Sequence, residues 1–202
     1  MSLAFYFVSD AAFFTGLAGT INSLRLHGHA EPVFILDAGL EPWQRELLEP
    51  EATVVEDDGS APPTMRKAIA PLAHPADTMV LIDADVIVTR NLCEFTDRAG
   101  RDAIVGFRDD ADRFVPEWGE LLGSGRATRR PYLSAGLLAL GREPGEKLLR
   151  ELESERDRVE FARTWSRGND LSYPFVYGDQ DLINALLATR LAEAPVEALD
   201  NR

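Results

Sequence analysis

With 202 residues, 45% of them hydrophobic, the chain has the length and apolar content for a sizeable core in one domain. A formal charge of −13 and a pI near 4.6 exclude a broad basic surface for nucleic acid polymers, but not a single nucleotide held through a metal ion. Cys93 is the only cysteine, so no intrachain disulfide can form, and the N-terminal residues read neither as a signal peptide nor as a membrane span; a cytoplasmic protein without a transmembrane segment is expected.

Residues 3–8 are an aromatic and aliphatic run that reads as a buried first strand, ending at Ser9-Asp10. From Phe13 the period changes. Phe13, Leu17, Ile21 and Leu24 recur at helical spacing, which predicts a helix over about 12–26 closing near Gly28. Residues 32–36 predict a second strand and 37–39 a turn. A short helix follows over 41–48, with Pro42 suited to its first turn, then a weak third strand over 52–55. Residues 57–63 read as a polar loop and 65–72 as a brief helix.

Residues 78–82 run mostly apolar into Asp83-Ala84-Asp85, and a second apolar run continues to Val88. An uninterrupted apolar run reads as a strand buried on both faces. Carboxylates are rarely buried without partners, which places Asp83 and Asp85 at the strand's end, the edge where open α/β sheets bind ligands. In an extended segment the two point to one side and can share a hard divalent cation; the plainer alternative is a solvated pair in an acidic protein.

Beyond them, 103–107 predicts a strand, 109–130 a long charged loop of the kind that forms lids, and 132–140 a strand with small residues. Residues 144–163 read as a charged amphipathic helix with a solvated face. Tyr177-Gly-Asp-Gln-Asp opens a last helix with Leu182, Ile183, Leu186 and Leu187 on its apolar side. The alternation of strands and helices before residue 90 predicts an α/β fold with a mainly parallel central sheet flanked by helices.

Three places combine polar groups with element ends. At the first, Asp10 can accept hydrogen bonds from a ligand amide while Phe13 covers a base, or Asp10 simply caps the helix. The second is Asp83 with Asp85. At the third, Asp179 and Asp181 suit the positive end of a helix dipole, while Gln180 can both donate to and accept from a hydroxyl.

These motifs together resemble glycosyltransferase family 8, the glycogenin and galactosyltransferase-like group. Asp10, Phe13, Gly16 and Ser23-Leu24 keep the spacing of the family's opening helix. Leu81-Ile-Asp83-Ala-Asp85-Val is similar to its Tyr-Leu-Asp-x-Asp metal motif, and Tyr132-Leu-Ser-Ala-Gly136-Leu-Leu to its Tyr-Phe-Asn-Ser-Gly strand. Asp179-Gln-Asp-Leu-Ile-Asn184 is similar to its Asp-Gln-Asp-x-x-Asn helix start. The four motifs keep the family's order and span residues 4 to 187.

The resemblance implies one GT-A (Rossmann-like nucleotide-diphospho-sugar transferase) catalytic domain over 1–202. It implies transfer of a sugar, with retention, from a nucleoside-diphosphate sugar such as a UDP-sugar to an acceptor that the sequence does not identify. Ser9, Asp10 and Phe13 would meet the nucleotide. Lys67, in preference to Arg66, would face the donor, as would Asp83, Ala84, Ser134 and Ala135. Asp83 and Asp85 would hold Mn²⁺ or Mg²⁺, and Asp179 and Gln180 would face the transferred sugar as the catalytic pair.

Two departures stand out. Ser134-Ala135 replaces the family's Asn-Ser pair. The family's third metal ligand, a C-terminal His, has no counterpart, since His27, His29 and His74 all precede Asp83. Either the chain lacks the family's C-terminal segment, or water or another oxygen completes the shell, or activity is lost. Two other readings follow: a nucleotide-sugar-binding protein that does not transfer, and a haloacid-dehalogenase-like phosphatase with Asp83 as nucleophile, Asp85 as acid/base and Lys147 as its later lysine.

Overall fold

The run Thr78–Ile82 is buried at every position and forms strand β4. Its alternate side chains feed two cores, Met79 and Leu81 on one face and Val80 and Ile82 on the other, as the period of two in a strand requires. Strand β1 (Leu3–Ser9) beside it does the same, with Ala4 and Tyr6 on one side and Phe5 and Phe7 on the other. Each of the larger apolar side chains among these contributes about 1.5–3 kcal/mol through burial, so these two strands anchor the domain. The computed structural model describes residues 1–57, 59 and 61–200.

The remaining strands are β2 (Val33–Asp37), β3 (Thr53–Val55), β5 (Ile104–Arg108), β6 (Leu133–Gly141) and β7 (Val196–Leu199). Together they form one sheet in the order β3-β2-β1-β4-β6-β5-β7. All pairings among the described residues are parallel except those of β6, which runs antiparallel to both β4 and β5. The chain moves outward from β1 through β2 to β3, then returns to place β4 on the other side of β1. The crevice at that reversal is where open α/β sheets bind ligands.

Helices cover both faces. Helices α1 (Phe14–Leu26), α2 (Pro42–Leu48) and α4 (Cys93–Ala99) pack on the Phe5–Val80 side. Helices α3 (Ile69–Ala73), α5 (Trp118–Leu121), α6 (Arg142–Glu155) and α7 (Asp179–Ala188) pack on the Tyr6–Leu81 side. Helix α2 starts where Pro42 and a Glu41/Gln44 capping box place it.

Several expectations need correction. Residues 86–88 do not extend β4, because the chain turns at Asp83, where the Val86 N–H donates to the Asp83 carbonyl at 3.3 Å. The expected helix over 65–72 is a 3-10 turn (Pro63–Arg66) followed by α3. Pro71 explains the break: it has no N–H to donate, and in a helix begun at 65 its ring would strike the carbonyl one turn back, whereas in the first turn of α3 it is tolerated. The expected helix over 144–163 begins at Arg142 and gives way after Glu155 to two 3-10 turns. Its solvated face is not fully solvated, since Glu155 is buried against Arg190 and Arg158. Residues 58 and 60 of the expected 57–63 loop lie outside the described residues.

Candidate active site

The end of β4 is fixed by its neighbours. The Asp83 N–H donates to the Gly136 carbonyl at 2.9 Å, one bond beyond the Ile82–Leu137 pair, so β6 holds Asp83 at the edge of the sheet. Helix α1 crosses the turn that follows. A Cβ on Gly16 would stand 2.4 Å from the Ala84 carbonyl oxygen, so only glycine permits this approach, and Ala84 is buried beneath it. Asp85 is exposed and has no hydrogen bond or ion pair among the described residues.

Arg66 and Lys67 take different directions. The Arg66 guanidinium is buried against the Asp57 carboxylate and the Ala61 carbonyl. Lys67 turns into the site, where its Nζ lies 2.6 Å from Asp83 Oδ1, 2.7 Å from Asp179 Oδ2 and 3.0 Å from the Ala135 carbonyl oxygen. Burial alone would push the ammonium's pKa down. The Asp179 and Asp83 carboxylates outweigh that effect and hold it above the ordinary lysine value, so Lys67 is a fixed positive charge. Burial pushes the Asp179 carboxyl up against the pull of Lys67, and the nearby Asp83 charge adds to the rise.

Helix α7 supplies the opposite wall. Gly178, at φ 60°, takes the left-handed backbone that lets the chain turn into the helix. Gln180 Oε1 accepts the Ala135 N–H at 3.1 Å, and its Nε2 donates to Asp109 Oδ2 at 3.3 Å. One residue on, Asp181 is fully buried. Its carboxylate accepts from Tyr132 Oη at 2.8 Å, the Tyr177 N–H at 2.8 Å and Arg113 Nε at 3.0 Å. Asn184 bonds both backbone groups of Leu133 at 2.8 Å, pinning α7 to the start of β6. The expected helix-dipole role understates Asp181, which ties the 109–118 segment, β6 and α7 together.

Across β4, at the end of β1, Asp10 Oδ1 accepts the N–H groups of Ala12 and Phe13 at 2.9 and 3.1 Å, a capping pattern just ahead of α1. The Phe13 ring is 52% exposed, an unpaid hydrophobic surface beside the crevice. Ser9 is buried, and its hydroxyl donates to the Asp10 carbonyl at 3.2 Å. Ser134 Oγ accepts the Gly136 N–H at 3.4 Å.

Lys67, Asp83, Asp179, Gln180 and Ala135 thus form one connected group. Ser134 adjoins it through Gly136, and Asp10 and Phe13 stand apart on the other side of the β1–β4 reversal. For a divalent cation, the Asp83–Asp85 turn offers hard carboxylate oxygens, and Gly136 leaves room beside Asp83 Oδ2, where a Cβ would stand 3.5 Å away. The donors suit such an ion in kind. No group of three or more His, Cys, Asp or Glu is arranged to hold a metal among the described residues. Lys147, which the phosphatase reading requires near Asp83, instead pairs with Glu143 on the exposed side of α6.

The sequence does not single out Asp109 or Arg113, and it marks Tyr132 only as the first residue of the β6 motif, with no role of its own. Asp109 carries a weaker form of the sign that marks Asp83, a carboxylate near the end of an apolar run but separated from it by Arg108.

Neither a protein-family model nor a curated protein matches the chain. Solved structures do. Galactosyltransferase LgtC, in complex with donor and acceptor sugar analogs, is 17% identical with a TM-score of 0.66 over 96% of this chain and 72% of its own. The apo bifunctional glycosyltransferase WbbM is 16% identical with a TM-score of 0.64 over 98% of this chain and 38% of its own. Glycosyltransferase GlyE of Streptococcus pneumoniae is 16% identical with a TM-score of 0.60, over 98% and 45%. The sheet order, the reversal at β1 and β4, and these likenesses together give the chain the GT-A fold.

Proposed function

We propose that the chain is a glycosyltransferase that moves a sugar from a nucleoside-diphosphate sugar, a UDP-sugar in the first instance, to an acceptor hydroxyl with retention of configuration. The observation that carries this is the Lys67 ammonium locked between Asp83 and Asp179 at the carboxyl edge of a GT-A sheet, with Gln180 alongside. Asp10 and Phe13 would receive the nucleobase, and Lys67 the charge of the diphosphate. Asp179 and Gln180 would lie under the transferred sugar. Asp83 and Asp85 would hold Mn²⁺ or Mg²⁺, which when bound offsets the negative charge that builds on the leaving diphosphate. The exposed free thiol of Cys93 suits a reducing cytoplasm.

The test is direct. Mn²⁺ with UDP, at a hundredfold excess over Kd, should stabilise the native state by about 2.7 kcal/mol and raise Tm by about 5–10 °C. Asp83→Ala and Asp85→Ala should remove the metal dependence of that shift. No shift with UDP or GDP would contradict a nucleotide-sugar site. Release of UDP from a panel of UDP-sugars separates a transferase from the second reading, a nucleotide-sugar binder that does not transfer. That second reading draws on the Asp83–Asp85 pair, which gains no third ligand among the described residues.

A further inference from the structure

Strand β6 loses its pairing to β5 for a short stretch. Gly106 pairs with Leu138, but the next pair is Arg108 with Leu133, so two steps along β5 face five along β6. Residues 134–137 stand against the single Phe107 of β5 and are held on their other side by β4, through the Ile82–Leu137 pair and the Asp83–Gly136 bond. Bulges that open a sheet in this way recur beside functional sites.

Beside this stretch lies a cleft of about 300 Å³, at the lower end of the range for small-molecule sites and of a volume that holds a single pyranose ring. Its lining combines apolar Val86, Phe107 and Leu137 with Ser134 and Gly136 and with the carboxylates of Asp109 and Asp110. Phe107 is stacked on Phe95, with ring centroids 5.5 Å apart and planes 12° apart. Its ring is therefore held firmly where the cleft meets it. An aromatic wall facing carboxylates and a hydroxyl suits a sugar, whose C–H face packs on a ring while its hydroxyls donate to carboxylates.

The position of the cleft assigns it a role. In the sheet order, Asp10 and Phe13 lie on the β1 side of β4, and the cleft lies on the far side, at β6 and β5. Gly136 is shared between the cleft and the surroundings of Asp83, and Asp109 bonds Gln180. We infer that this cleft is the acceptor subsite and that it takes a neutral or amino sugar, with uronic acids and sugar phosphates repelled by Asp109 and Asp110. This rests on the proposed function, since an acceptor has meaning only for a transferase.

Saturation-transfer NMR on the full chain, with and without UDP and Mn²⁺, tests it with methyl β-galactoside, glucosamine and glucuronate as probes. The first two should show transfer and glucuronate none. Phe107→Leu, which keeps an apolar side chain against Phe95, should weaken the neutral sugar at least fivefold, and the exposed Asp110→Lys should admit glucuronate. UDP binding should be unchanged in both variants. Equal binding of all three probes, or no effect of either variant, would overturn the inference, as would UDP binding with no sugar bound under any condition. Sugars that bind as described to a chain that never binds UDP would leave a neutral-sugar cleft but end its role as an acceptor site, and the proposed function with it.

Discussion

Lys67 and Asp83 meet at 2.6 Å across the floor of the crevice, joining the segment before α3 to the end of β4. The same ammonium reaches Asp179 at 2.7 Å, so one positive charge serves two carboxylates. Half-buried Asp83 and buried Asp179 would otherwise face each other as like charges. An ammonium between them removes that repulsion and fixes both side chains.

Removing this charge should be costly. Lys67→Met leaves the buried Asp179 carboxylate without its counter-ion, and breaking a buried pair from one side typically costs about 3–5 kcal/mol. Urea denaturation should show a loss of this order. Adding Asp179→Asn in the same chain should recover at least half of it, because no unpaired charge then remains. Additive losses in the double variant would show that the two residues are not coupled.

Gly16 provides a test of geometry. A Cβ there meets the Ala84 carbonyl at 2.4 Å, and both partners are backbone, so neither yields easily. Gly16→Ala should destabilise by about 1–3 kcal/mol despite the better helix propensity of alanine. Gly19→Ala, one turn on, meets only the end of the Ile87 side chain at 3.4 Å and should be neutral or stabilising by up to about 1 kcal/mol. Thermal melts of the two variants, with equal effects, would contradict the close approach of α1 to the turn.

Arg113 is expected to control the loop it sits on. Its guanidinium reaches Asp181 at 3.0 Å and the Tyr173 carbonyl at 3.0 Å, and Trp118 Nε1 donates to the Pro174 carbonyl at 2.9 Å. Arg113→Met should raise amide exchange over residues 109–130 by at least tenfold while leaving β1 and β4 protected. Unchanged exchange in that segment would show that Trp118 alone fixes it.

Stability should fall at alkaline pH. Burial raises the pKa of Tyr6 and of Tyr132, and Lys67 is raised by its two carboxylates over the opposing effect of burial. Each keeps its proton in the native state at a pH where the unfolded chain has released it. Stability from these groups is complete below their unfolded pKa values, about 10, and declines above it by up to about 1.4 kcal/mol per pH unit for each group. Tm should be flat between pH 8 and 9 and fall steeply above 10, less so in Lys67→Met. An identical slope in the variant would contradict the assignment for Lys67.

Much of this architecture is legible in the sequence because burial on both faces leaves a run such as 79–82 with no polar residue. The same reasoning put Asp83 at the edge, and it is there. What was not legible depends on partners distant in sequence. Asp181 reads as an ordinary first-turn acid until Arg113, Tyr132 and Tyr177 close around it. The direction of β6 was hidden because a strand buried on both faces has the same pattern whether parallel or antiparallel. The Asp83–Asp85 pair was read as extended, and a turn intervenes. Helix α4 and strand β7, at seven and four residues, are too short for a periodic signal.

The crevice around Lys67, Asp83 and Asp179 is expected to receive a nucleoside diphosphate with its cation, and a crystal structure with Mn²⁺ and UDP decides whether it does. The cation is expected on Asp83 and Asp85, the diphosphate within reach of Lys67, and the uracil beside Asp10 and Phe13. Mn²⁺ bound away from both aspartates, or UDP seated outside the β1–β4 reversal, would contradict it.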